Sequence, residues 1–136
     1  MEAHKEAKKE AKKEKGMEPR MNTEKKSVDI ACVQAGVAKR EAALLVAVNA
    51  SFTARISAMT TRAVDLNSAW GQAGMKTREA AIKAAHTAFK TSMKTTAMTL
   101  KTAHNTAWKT FKTDAKTCKV SLPAAESDAE KSDAQM

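Results

Sequence analysis

The chain has no tyrosine, only three phenylalanines and two tryptophans, and only four glycines and two prolines in 136 residues. With so few large side chains, any core is narrow and built partly from alanine. A core of that kind in a small chain is marginal and asks for a staple or a partner. Scarce Gly and Pro, set against abundant Ala, Lys and Glu, favour long helices over sheets. There is no glycine-rich phosphate loop, no Ser-His-Asp arrangement, no Cys-x-x-Cys and no His-x-x-x-His. His86 and His104 lie five helical turns apart, about 27 Å, too far to share one metal ion, and His4 lies in a charged arm. No catalytic residue, metal ligand, cofactor or small-molecule substrate is expected, and an enzyme is not expected. A two-helix hairpin also offers no deep cleft to shield a reaction.

Long hydrophobic runs are missing too. The longest, Ala42–Val48, falls well short of the ~20 residues that span a bilayer, so no transmembrane insertion is expected. The opening residues are charged throughout and hold no apolar stretch of the kind a signal peptide needs.

What is present is charge, unevenly spread. Residues 1–27 hold nine Lys/Arg and six acids, residues 28–120 fourteen against five, and residues 121–136 one against four. The middle is basic and the C-terminal tail acidic. A basic domain attracts anionic partners as a class, without naming one.

Residues 1–26 form a Lys/Glu-rich arm with an EAHK, EAKK, EAKK beginning, expected to be a solvated helix or disordered, with Pro19 ending any helix. Residues 27–120 carry the helical pattern. Ser27 is the expected N-cap, with Asp29 in the first turn. Larger apolar residues then run Ile30, Val33, Val37, Leu44, Val48, Phe52, Ile56, Met59, Leu66 and Trp70, at an average step near 3.6. Asn49, Ser51 and Thr53 weaken the middle and favour a kink or break near 49–53. Trp70-Gly71-Gln72-Ala73-Gly74 interrupts the pattern, and Gly71 sits where a left-handed C-cap is favoured. A second stripe follows: Ile82, Ala85, Phe89, Met93, Leu100, Ala107, Phe111, Ala115 and Cys118. Opposite it lie Lys83, Lys90, Lys94, Lys101, Lys112 and Lys116, so this helix has one apolar and one lysine face. Seven irregularly spaced Lys-Thr pairs are compositional bias. Leu122-Pro123 ends the helix, and residues 121–136 are expected to be an acidic disordered tail.

The pattern predicts an all-α, long antiparallel two-helix hairpin, with helices at about 28–70 and 75–119 and a turn at 71–74. Leu44, Val48, Phe52, Ile56, Trp70, Phe89, Trp108 and Phe111 are its expected core or interface anchors. Trp70 is expected to cap the closed end, and Trp108 to sit half exposed beside the stripe. Helix one from Cys32 to Trp70 would be about 57 Å long and helix two from Met75 to Cys118 about 64 Å. An antiparallel hairpin thus brings Cys32 and Cys118 to the same open end. A disulfide there would contribute on the order of 4 kcal/mol through loop-closure entropy and would imply an oxidising location. The alternative is two reduced cysteines acting as small apolar residues. Glu41 and Asp114 also fall near each other across the hairpin, where a salt bridge with Lys or Arg is expected.

The block Asp29-Ile30-Ala31-Cys32-Val33-Gln34, followed by Lys39-Arg40-Glu41, Ala69-Trp70, Ala107-Trp108-Lys109-Thr110-Phe111-Lys112 and Cys118, resembles a group of uncharacterised small exported helical-hairpin proteins with two flanking cysteines, from candidate-phyla (Patescibacteria-type) bacteria. The likeness covers roughly residues 28–119, and the Lys/Glu arm fits it loosely. It implies an architecture and an extracellular or cell-envelope location, but no activity. A cytoplasmic location is the alternative.

Two functional expectations follow. The first is a non-enzymatic structural or interaction protein that self-associates, as a dimer or four-helix bundle, to cover the apolar excess around Ala42–Phe52. The second is a sequence-independent polyanion binder (DNA, RNA or an acidic polymer) using the lysine face, with steep salt dependence. A membrane-active amphipathic protein is a remote third.

Overall fold

A computed structural model describes residues 28–136. The charged arm and Ser27 lie outside the described residues. Helix α1 (Ile30–Trp70) and helix α2 (Met75–Thr117) pack against each other as an antiparallel hairpin. A third helix, α3 (Ala124–Asp133), follows. The hairpin is all-α, as the periodicity predicts.

Asp29 is the N-cap of α1: its Oδ1 accepts from the Cys32 N–H at 3.1 Å, satisfying one of the free amides of the first turn. The helix then runs unbroken through Asn49–Thr53, so the expected break does not occur. Ser51 is buried there, held by packing that outweighs the weak helix preference of the segment.

The closed end also departs from expectation. Gly71 has φ −78° and is not a left-handed cap. The turn is tied instead by Arg78, which donates from Nε and Nη2 to the Gln72 carbonyl at 3.3 and 3.1 Å. The left-handed residue is at the other end of α2, where Lys119 has φ 58°. Its N–H donates to the Lys116 carbonyl and the Val120 N–H to the Ala115 carbonyl, both at 3.0 Å. That paired bonding is a Schellman motif built on a lysine.

Cys32 and Cys118 form a disulfide, with Cα atoms 5.7 Å apart across 86 positions of sequence. Further along both helices, toward the turn, sits the core cluster of Leu44, Ala107, Trp108 and Phe111, flanked by Val37, Leu122 and Ala129. Trp108 and Phe111 meet edge to face, with ring centroids 5.8 Å apart. Trp108 is 1% exposed, not half exposed, because α3 covers it.

Away from that cluster the packed seam is small. α1 buries Gly36, Arg40, Leu44, Ala47, Ser51, Ala58 and Ala69. α2 buries Ala85, Thr96, His104, Ala107, Trp108, Phe111 and Ala115. The α2 stripe is the one expected. The α1 stripe is rotated: the chain packs its alanines and turns its larger residues outward. Phe52 and Trp70 are each 64% exposed and Ile56 is also exposed, while Val48 is half-buried. As anchors of a single hairpin, Phe52, Ile56 and Trp70 are corrected, and Trp70 does not cap the turn. Small seam residues let two helix backbones approach closely, which large ones prevent.

The acidic tail is not disordered. Glu126, Ala129, Glu130 and Asp133 recur at i, i+3, i+4 and i+7, one face of a helix, and that face docks on the hairpin. Glu126 stands in the first turn of α3 and Lys131 in the last, each sign matching the helix dipole.

Candidate interaction surfaces

Three regions of the surface carry chemistry: the clamp at the open end, the lysine face of α2 and the outer face of α1.

The clamp is centred on Arg40. Its guanidinium carbon lies 4.3 Å from the centroids of both Trp108 and Phe111, and the residue is only 7% exposed. Nη1 donates to Glu126 Oε2 and Nη2 to Glu41 Oε1, both at 2.7 Å. Burial alone lowers the pKa of this group, but the hydrogen bonds and charges of Glu41 and Glu126 outweigh it, and the net shift is upward. Trp108 Nε1 donates to Asp133 Oδ2 at 3.0 Å, and Lys112 Nζ meets Glu130 at 2.6 Å. All three acids on the docked face of α3 are thereby engaged by donors of the hairpin. The expected pairing of Glu41 and Asp114 with cations also forms, through Arg40 and through Lys39, whose Nζ is 3.6 Å from Asp114. The role of Arg40 and the docking of α3 were missed from sequence. The signal was the spacing of Glu126, Glu130 and Asp133, opposite in sign to the hairpin.

Lys83, Lys90, Lys94, Lys101, Lys112 and Lys116 are all exposed on α2. Among the described residues only Lys112 of these pairs with an acid. The face is continuous except where α3 occupies it.

The outer face of α1 is the opposite in character. At about 100° per residue, Leu45, Phe52, Ile56, Met59 and Trp70 fall within about 60° of one another, and all five are exposed. From residue 42 to residue 64 the charged side chains of α1 are Arg55 and Arg62, both half-buried. Arg62 lies over the half-buried Phe89, 4.0 Å from its centroid. The apolar stripe is therefore free of charge. An 18-residue window of α1 reaches a mean hydropathy of 1.4, with 17% of it buried. By length and composition alone this helix is apolar enough to cross a membrane, a property that the short uninterrupted run Ala42–Val48 does not convey. Alanine, serine and threonine between the large residues extend the apolar stretch without adding charge.

No family model, curated protein or solved structure matches the chain.

Proposed function

We propose that the protein is a non-enzymatic structural or interaction module that pairs with a second copy through the outer face of α1. The observation that carries this reading is the charge-free stripe Leu45, Phe52, Ile56, Met59 and Trp70, exposed on a single hairpin. Five large side chains, each more than half exposed, offer on the order of 500 Å² per copy, and ~1,000 Å² for a pair is the lower bound for a specific interface. Two hairpins joined there make a four-helix bundle, with the lysine faces of α2 left to solvent. Pairing through α2 would instead oppose like charges.

A bilayer is a poorer occupant. The turn and the disulfide tie α2 to α1 at both ends. Insertion of α1 would draw Lys83, Lys90, Lys94 and Lys101 into hydrocarbon, at about 2.5–3.5 kcal/mol for each one held near the centre. Sedimentation velocity at tens of micromolar is the test. A dimer is expected, and the double substitution Phe52→Glu/Ile56→Glu should convert it to a monomer. A parent chain that sediments as a monomer overturns the pairing.

An extracellular or envelope location is part of this proposal, supported by the cysteine pair and by the resemblance of residues 28–119. Mass measurement of the native protein with and without reductant tests it: alkylation of both thiols before reduction removes the staple and the location with it.

The unpaired lysines of α2 favour a second reading, sequence-independent binding of a polyanion. Retention on heparin beyond about 0.3 M salt would support it, and elution below that concentration would count against it.

A further inference from the structure

We propose that the cavity where the end of α3 meets α1 and α2 binds a single phosphate group, as the free ion or as the end of a phosphomonoester. The site is separate from the α1 stripe and does not depend on the pairing of two copies. The cavity has a volume of about 210 Å³ and is lined by Arg55, Lys101 and His104, with Asp133 of α3 beside them. Among the described residues, the buried side-chain nitrogens and oxygens with no hydrogen-bond partner are Arg55 Nε and His104 Nε2, and both residues line this one cavity. His104 is 3% exposed. Buried polar groups are almost always satisfied, and those that are not point to a bound water or ion.

The donor set selects the ligand. A guanidinium stays protonated and offers only N–H groups, which excludes a metal cation at Arg55. His104 Nδ1 lies 3.5 Å from the Asn105 side-chain amide, and that amide can rotate to serve either ring tautomer. With its proton on Nε2, the imidazole adds a second donor to Arg55 Nε. Lys101 is exposed and adds a third positive or donor group. The Asp133 carboxylate has its Oδ2 engaged by Trp108 Nε1 at 3.0 Å, and Met136 also lines the cavity. Ala97 and Leu100 complete an apolar wall, where charge-assisted hydrogen bonds are stronger than in water. An oxyanion carries several acceptor oxygens, enough to serve more than one of these donors. Asp133, Ala134 and Met136 close one side of this cavity, which the two long helices alone would leave open.

The test uses the full, disulfide-bonded chain. Inorganic phosphate and glycerol phosphate are titrated separately at fixed ionic strength, with chloride as the control, by calorimetry and by thermal unfolding. Saturable one-site binding is expected, with Tm rising as phosphate rises. Arg55→Gln and His104→Gln should each weaken binding about tenfold or more, while the remote Lys90→Ala should leave it unchanged. Arg55→Lys keeps the charge without the guanidinium Nε and should also bind weakly, which serves if His104→Gln fails to fold. Binding of only one of the two probes identifies the source of the phosphate group. If both raise Tm no more than chloride, the cavity holds only water and the proposal fails. If Lys90→Ala weakens binding as much as Arg55→Gln, the binding is diffuse attraction to lysines and the site is overturned.

Discussion

The two tryptophans mark the difference between the two ends of the hairpin. Toward the open end, on the disulfide's side of the molecule, Trp108 is enclosed by Phe111, Arg40 and the face of α3. At the closed end Trp70 stands 64% exposed above a seam of alanines. Large side chains, paired charges and the covalent bond are gathered at one end. The other is held by small residues, by Arg78 on the Gln72 carbonyl and by Arg62 over Phe89. The chain builds a self-sufficient core at the open end only. Along the rest of α1 it leaves large apolar residues exposed.

The largest expected contrast is between those tryptophans. Trp108→Ala should cost toward 5 kcal/mol, since it opens a cavity and also removes the partner of Asp133. Trp70→Ala should cost less than about 0.5 kcal/mol in the monomer. Urea unfolding at sub-micromolar concentration measures both, and equal losses would break the distinction between the ends. Replacing both cysteines, Cys32→Ser/Cys118→Ser, should cost about 4 kcal/mol. The same curves would show whether the open end holds without its bond, and a loss below 1 kcal/mol would mean that packing alone suffices. Glu126→Gln leaves buried Arg40 with Glu41 as its only carboxylate. It should cost roughly 1–3 kcal/mol and loosen α3, read as a shift in Trp108 fluorescence. One small effect is a gain. A Cβ added at Gly36 would meet Asp114 and Phe111 at 3.6 Å, ordinary contact, so Gly36→Ala should stabilise by about 0.5–1 kcal/mol. A loss there would show that α1 and Phe111 are packed more tightly than that distance implies.

The same asymmetry explains what was legible in the sequence. The turn at 71–74 and the meeting of Cys32 with Cys118 followed from a glycine break placed midway between the cysteines. The packed face of α2 followed from its lysines, which leave a single apolar stripe. α1 has no such marker. Between residues 42 and 54 it carries no charge, so nearly every face is apolar, and the periodicity of its large residues picked the outer stripe. Side-chain size decided the packed face, through Ala47, Ser51 and Ala58, and size is weighed only once a partner helix is in place. α3 was missed for a related reason. Its own residues include no large apolar side chain, and it is held by Glu126, Glu130 and Asp133 reaching donors far away in sequence. The cavity lined by Arg55, Lys101 and Asp133 could not be read at all, since Asp133 reaches the two long helices only when α3 docks.

The bond between Cys32 and Cys118 also changes how the molecule carries load. The segments preceding Cys32 and following Cys118 leave the hairpin from the same end, joined there by two sulfur atoms. Tension applied between the chain termini therefore runs across the covalent link and bypasses the loop that it closes. Both long helices would stay slack under a pull that would unravel a reduced hairpin from its open end.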